Sequence, residues 1–251
     1  FIMVFDGLQM AQVTSELMPR LSAFADSGVR FQKHHSVFPT VTRINAASMV
    51  TGRYPGGHGL AANMMVMREM DPGEQFSVLE PGLRRLSESN GGRVLLSPPL
   101  SEILAHHGMQ YVAVGVGTSG NAFVHNPHPE HSTGATIHPE FSLPDELHSE
   151  IIARFGEWPD EEHPNSARVQ HAGKIVTDYV MGERQPEVAL LWSSEPDKSQ
   201  HRDGVNSDLG KQALTMADTE FGRILDWLYE NGRLEETDVI VLSDHGYSTI
   251  T

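Results

Sequence analysis

The 251-residue chain contains no cysteine. That excludes a disulfide framework, a thiolate zinc site and a cysteine nucleophile. Positive charge is also scarce. Eighteen Lys and Arg stand against 33 Asp and Glu, for a net charge of −15. Such a surface is ill suited to nucleic acid, and no nucleic-acid partner is expected. An anionic small substrate is not excluded, because bound dications invert the local field. No apolar run approaches the roughly 18 residues of a membrane span, so none is expected. Nor does a charged, then apolar leader precede Phe1-Ile2-Met3-Val4-Phe5, which reads as a strand already under way. The compartment stays open between periplasmic or secreted and cytoplasmic, and so does the oligomeric state. Apolar residues, at 39 %, suffice for a real core, and the fourteen histidines are many for this length. Histidine is the commonest metal-ligating side chain.

Four apolar runs have strand character: Phe1–Phe5, Tyr111–Val116, Val188–Trp192 and Val239–Leu242. They are continuous rather than alternating, as strands buried on both faces of a parallel sheet should be. Helical patterns lie between them, over Val13–Phe24 (weakened by Pro19), Ser101–His107, Ala167–Met181 and Asp208–Tyr229. This alternation predicts an α/β fold with an open, mostly parallel sheet flanked by helices. Two stretches break the pattern. Residues 64–99 mix Met, Gly and charge around a short candidate strand at Arg93–Leu96. Residues 121–165 carry prolines and six histidines and read as a cap-like excursion. The whole of residues 1–251 is expected to be one catalytic domain, incomplete at its C-terminal end, with an exposed sheet edge.

In an open α/β sheet, ligands bind beyond the carboxyl ends of the strands. After Phe1–Phe5 comes Asp6-Gly7; after Val188–Trp192 comes Ser193-Ser194-Glu195-Pro196-Asp197, then His201; after Val239–Leu242 comes Ser243-Asp244-His245-Gly246. Each piece alone reads as a turn or a solvated loop. Unrelated turns, however, have no reason to share carboxylate and imidazole at three strand ends. Such a set suits zinc, and also manganese or iron. Five ligands are too many for one tetrahedral site and about right for two. A nucleophile is available in the segment FPTVTRINAASMVTG, residues 38–52. Thr42, if not an ordinary helix cap, would lie at a helix N-terminus where anions are favoured. Asn45, one turn later, could donate to a phosphoryl oxygen.

These motifs resemble those of the alkaline phosphatase superfamily, and most closely its type I phosphodiesterase/nucleotide pyrophosphatase branch. The resemblance rests on FDG at Phe5–Gly7, on FPTVTRINAASMVTGRYPGGHGL from Phe38 to Leu60, on EPDKSQH at Glu195–His201 and on NGRLEETDVIVLSDHG at Asn231–Gly246. It implies an alkaline-phosphatase-like core with two divalent metal ions, zinc above all. Asp6, Asp244 and His245 would hold one ion, with Thr42 as fourth ligand and nucleophile. Asp197 and His201 would hold the other, and Asn45 would stabilise phosphoryl oxygens. The implied reaction is hydrolysis of phosphodiester or pyrophosphate bonds in a small phosphorylated substrate, including nucleotides, through a phospho-threonine. A phosphomonoesterase or a phosphonoacetate hydrolase on the same framework is the alternative. A metal-binding domain without turnover is the non-enzymatic one. Sulfatases are disfavoured by the Thr at 42, and so are the cofactor-independent phosphoglycerate mutases, whose nucleophile is Ser. The family places a further His ligand well after SDHG, and none follows His245 in this sequence. The first metal is therefore expected to bind tightly and the second weakly.

Other residues carry plainer expectations. His58 is read as structural, and Asn63 and Asn121 as turn residues. Arg43 either touches substrate or faces solvent. Met64, Met65, Met67 and Met70 are expected to pack. The six histidines of residues 121–165 (His125, His128, His131, His138, His148 and His163) are expected to lie on a solvated surface.

Overall fold

The computed structural model describes residues 1–68 and 70–248. Eight strands are present among them: β1 (Ile2–Phe5), β2 (Met64–Met65), β3 (Phe76–Ser77), β4 (Tyr111–Gly115), β5 (Ala135–His138), β6 (Phe141–Leu143), β7 (Val188–Ser193) and β8 (Ile240–Leu242). Six form one sheet in the order β6-β5-β4-β7-β1-β8, while β2 and β3 make a separate hairpin. All pairings in the large sheet are parallel except β5 with β6. Register places Met3 beside Leu191 and Val241, and Ala113 beside Leu190 and Thr136.

The continuous apolar runs behave as two-sided strands. Side chains alternate across a pleated sheet. Met3, Phe5, Val112, Val114 and Leu191 face one core, and Val4, Tyr111, Ala113, Leu190 and Trp192 face the other. The first core is closed mainly by α8 (Ser166–Lys174), by its wider π-helical continuation Ile175–Arg184 and by α10 (Asp208–Glu230), which contributes Leu214, Phe221, Ile224 and Leu228. The second is closed by α2 (Thr42–Thr51) and α4 (Glu80–Ser89) through Ile44, Ala47, Leu83 and Leu86. Each fully buried aliphatic or aromatic side chain contributes about 1.5–3 kcal/mol.

Several boundaries differ from the sequence expectation. The helix expected over Val13–Phe24 begins only at Pro19 (α1, Pro19–Ser27), after a 3-10 turn at Met10–Gln12. Proline lacks a donor that the first helical turn leaves unused, so it starts this helix rather than interrupting it. The short helices α3 (Pro55–His58), α5 (Leu100–His106) and α6 (Ser119–Phe123) complete the second face. Arg93–Leu96 is not a strand. Val94 N–H donates to His128 Nε2 (3.0 Å) and Leu96 N–H to the His58 carbonyl (3.1 Å), so no ladder forms.

Residues 121–165, expected as an excursion, instead extend the main sheet through β5 and β6 and return through α7 (Glu146–Phe155). The expectation of six solvated histidines is likewise corrected. His125, His128 and His138 are buried, whereas His131 and His163 are exposed. A buried imidazole is tolerated where its nitrogens find partners. His128 Nδ1 pairs with Glu102 while its Nε2 accepts from Val94. His138 Nε2 reaches the Gly117 carbonyl at 3.2 Å, and its Nδ1 accepts from Glu140 N–H. His125 Nδ1 meets the Tyr111 hydroxyl at 2.7 Å. Asn121 is not a turn residue but a buried member of α6. Met65, Met67 and Met70 pack against the second core, while Met64 is half exposed. Among the described residues the edge strand β8 pairs with β1 alone, and Ile240 on it is 52 % exposed. Among the described residues, no helix is long and apolar enough to cross a membrane.

Candidate active site

Three parallel strands, β7, β1 and β8, lie side by side, so their carboxyl ends open at one edge. Backbone bonds lock the loops beyond them. Asp6 N–H donates to the Ser193 carbonyl (3.1 Å), and Asp197 N–H donates to the Asp6 carbonyl (3.0 Å). Gly7 N–H donates to Asp244 Oδ1 (3.2 Å), joining the first loop to the third. Gly7 has φ +70°, and a Cβ there would meet Asp197 Oδ1 at 2.9 Å. Glycine is thus required both by the turn and by the approach of Asp197. Asp197 opens α9 (Asp197–Asp203), which carries His201 one turn on.

The residues singled out at the three strand ends do converge. Asp6, Asp197 and His245 each place one ligating atom within 4.8 Å of the others. His245 Nε2 lies 3.5 Å from Asp6 Oδ1 and 3.3 Å from Asp244 Oδ2. Its Nδ1 sits 2.8 Å from the Gly246 carbonyl, to which it can donate, and this contact turns Nε2 toward the carboxylates. Thr42, the first residue of α2, sits at the same spot, with Oγ1 3.3 Å from Asp6 Oδ1 and 3.1 Å from His245 Nε2. His201 lies to one side, its Nε2 3.4 Å from Asp197 Oδ2 and its Nδ1 2.9 Å from the Tyr247 hydroxyl.

Electrostatically this cluster is under tension. Burial pushes the Asp6 carboxyl well above its ordinary range, and the nearby Asp244 and Asp197 charges push it further. Burial also raises Asp244 and Asp197, partly opposed by neighbouring histidines. Trp192 Nε1 donates to Asp6 Oδ2 (3.0 Å), but Asp197 Oδ1 and Asp244 Oδ2 are buried without a hydrogen-bond partner among the described residues. Buried acceptors without partners are costly. A divalent cation answers both problems, and a donor set of carboxylates and one imidazole nitrogen fits zinc, manganese or iron. The residues present therefore fit the metal that the motifs imply.

Asn45 is placed differently from the other site residues. Its Oδ1 accepts from Val37 N–H (2.8 Å) and its Nδ2 donates to the Val41 carbonyl (3.1 Å). In this arrangement the side chain clamps the loop that leads into Thr42. His58 is wholly buried and structural, with Nε2 3.0 Å from Ser48 Oγ and Nδ1 accepting from Leu60 N–H. Burial lowers its pKa to about 4.

A cleft of about 350 Å³ opens over the cluster. Thr42 and Arg43 reach it from α2, and Asp197, Lys198 and His201 from α9. Asn63 and His163 also line it, and Tyr247 lines an adjoining cleft beside Thr42 and His245. Lys198, Tyr247 and His163 escaped the sequence reading. The first two stand one or two residues from named ligands, a signal that could have found them. His163 was hidden among five other histidines. Glu195 proves structural: its buried carboxylate accepts from Asn165 and Ser199 N–H (2.8 and 3.1 Å) and holds the wall next to Ser194.

A family model described as type I phosphodiesterase/nucleotide pyrophosphatase matches residues 1–251. The chain belongs to this family. Among its curated relatives, the venom phosphodiesterase of Naja atra is 22 % identical over 94 % of this chain and 24 % of its own length. The bis(5'-adenosyl)-triphosphatase of Xenopus laevis is 24 % identical over 98 % of this chain and 46 % of its own length. The chain thus spans about a quarter of the venom enzyme and under half of the amphibian one. Among solved structures, murine ectonucleotide pyrophosphatase/phosphodiesterase 5, as an inactive variant in complex with AMP, superposes with a TM-score of 0.69 at 19 % identity. That match covers 98 % of this chain and 56 % of the murine one. Phosphonoacetate hydrolase from Sinorhizobium meliloti, in complex with phosphonoformate, matches at the same score and identity, over 98 % and 55 %. Both likenesses establish the α/β fold.

Proposed function

We propose that this chain is the catalytic core of a metal-dependent phosphoester hydrolase that cleaves phosphodiester or pyrophosphate bonds, nucleotides included, through a phospho-threonine. The observation that carries the reading is the position of Thr42 Oγ1, 3.3 Å from Asp6 Oδ1 and 3.1 Å from His245 Nε2, inside the ligand set and on the wall of the cleft. Family membership and the AMP found on a structural neighbour support it.

Asp6, Asp244 and His245, with Thr42, would hold one divalent ion, and Asp197 with His201 would contribute to a second. Such ions supply Lewis-acid polarisation of phosphoryl oxygens and lower the pKa of a coordinated hydroxyl. The protein's own part begins with Thr42. Asp6 Oδ1 and His245 Nε2 are both within hydrogen-bonding reach of its hydroxyl and orient Oγ toward the cleft. Oγ attacks phosphorus, the leaving oxygen departs with the electron pair of its broken bond, and phospho-Thr42 forms as the hydroxyl proton passes through solvent to that leaving oxygen. Water then attacks the same phosphorus, the Oγ–P bond breaks, and Thr42 recovers its proton. Asn45 acts as a positioning residue by fixing the loop carbonyl of Val41 and the Val37 amide. Trp192 holds the second Asp6 oxygen, so that Oδ1 alone faces Thr42.

The test is to assay the full-length gene product, zinc-loaded, on bis(p-nitrophenyl) phosphate and p-nitrophenyl phosphate side by side. Diester hydrolysis exceeding monoester hydrolysis supports the phosphodiesterase reading. Thr42→Ala should lower turnover by about a thousandfold or more while leaving the melting temperature near that of wild type. Undiminished activity of Thr42→Ala would refute the nucleophile. A strong monoester preference would move the assignment to a phosphomonoesterase on the same framework.

A further inference from the structure

Arg43 follows the nucleophile directly and lines the cleft, half-buried. Among the described residues its polar contacts are long and neutral: Nε to Thr118 Oγ1 and Nη1 to the Asn63 carbonyl, both 3.4 Å. Among the described residues no carboxylate pairs with it, whereas Arg20, Arg84, Arg154 and Arg168 all have acidic partners. In a chain with 33 acidic residues, a desolvated guanidinium without an acid needs a reason. Burial lowers its pKa, the mark of a charge held away from water.

A second positive centre stands on the same cleft. Lys198 Nζ lies 2.5 Å from Glu161 Oε2, but Arg168 Nη1 shares that same oxygen at 3.2 Å. Lys198 thus shares its Glu161 partner with a second cation, and on the cleft side it faces Asp197. The cleft's own carboxylates, Asp6 and Asp197, belong to the metal-ligand set and are spoken for.

We propose that Arg43, supported by Lys198, is a specificity residue that binds a second anionic centre on the substrate, so that preferred substrates carry more negative charge than a simple diester. The inference rests on the phosphoryl-transfer reading above. The extra charge can sit on the leaving group, as in a pyrophosphate, or on the transferred phosphoryl group, as in a monoester; guanidinium recognises both alike.

The experiment compares kcat/KM for three probes: bis(p-nitrophenyl) phosphate with one charge, p-nitrophenyl phosphate with its second charge on the phosphoryl group, and ATP with extra charge on the leaving group. Wild type should favour at least one of the two more highly charged probes over the diester. Arg43→Met should lower that preference ratio about tenfold or more, chiefly through KM, with Arg43→Lys restoring part of it. Lys198→Gln should lower it by less. Loss confined to ATP places the anion on the leaving group, and loss confined to p-nitrophenyl phosphate places it on the phosphoryl group. Unchanged ratios in both variants, with thermal melts showing them folded, would overturn the inference while Thr42-dependent diester hydrolysis still stood. No Thr42-dependent hydrolysis of any probe would instead refute the underlying reading.

Discussion

Two regions of this molecule look alike in sequence, since both concentrate potential metal ligands, yet they are physically opposite. At the ends of β1, β7 and β8, three aspartates and a histidine are brought together with buried carboxylate oxygens left unpartnered. In residues 121–165, three histidines are also buried, but His128 and His138 have both ring nitrogens engaged by the protein itself. Ligand-type side chains whose lone pairs are already satisfied build structure. Those packed against like charge, with lone pairs unsatisfied, are arranged for something that is not protein. Residue type marks both regions, and His125 Nε2 is itself buried without a hydrogen-bond partner among the described residues; what separates the regions is the convergence of like-charged carboxylates on one point.

The comparison is sharpest at Asp6. If the proposed function holds, Asp6→Asn should cost activity about a thousandfold or more, by removing a proposed metal ligand beside the proposed nucleophile. It should not destabilise the metal-free protein, because it deletes a charge that burial and two neighbouring carboxylates oppose. Steady-state rates and melts in chelator read the two effects separately. A large fall in metal-free melting temperature would mean that Asp6 is a structural group after all.

His128 should behave the other way. His128→Leu leaves the Glu102 carboxylate, only 8 % exposed, without its imidazole partner and removes the acceptor for Val94 N–H. A loss of about 3 kcal/mol in urea unfolding is expected, with metal content unchanged. Loss of bound metal in a folded His128→Leu protein would erase the distinction between the regions.

The smallest effect is at His125. Burial lowers its pKa to about 3, from an ordinary 6.5. Between those values the unfolded chain binds a proton that the folded one refuses, so folding stability is lost as pH falls. From pH 7 to pH 5 this one residue should cost about 2 kcal/mol. Comparing the pH dependence of unfolding in wild type and His125→Asn isolates the term. An identical dependence would mean that the imidazole is protonated in place.

The sequence made one part of the molecule readable and hid another, for physical reasons. Strands β1, β4, β7 and β8 are legible because two-sided burial demands continuous apolar runs, and their order of appearance with helices implies the parallel sheet. The cluster of candidate ligands at the strand ends is legible because the fold brings all such ends to one edge. Strands β5 and β6 are not legible: Ala135–His138 and Phe141–Leu143 are short, and buried polar side chains (Thr136, His138 and Ser142) interrupt their apolar character. The same polarity disguised the buried histidines as surface. Asn45 shows a further limit, since its residue type fits phosphoryl contact while its hydrogen bonds lie within the loop before Thr42. Arg43 shows the converse, as only the structure reveals a half-buried cation without an acidic partner among the described residues.

The most direct test of the central contrast is equilibrium dialysis of the chelator-stripped full-length protein against zinc, followed by metal analysis, for wild type, Asp6→Asn and His128→Leu. The account predicts at least one tightly held equivalent in wild type and in folded His128→Leu, and its loss in Asp6→Asn. Full zinc retention by Asp6→Asn would contradict it.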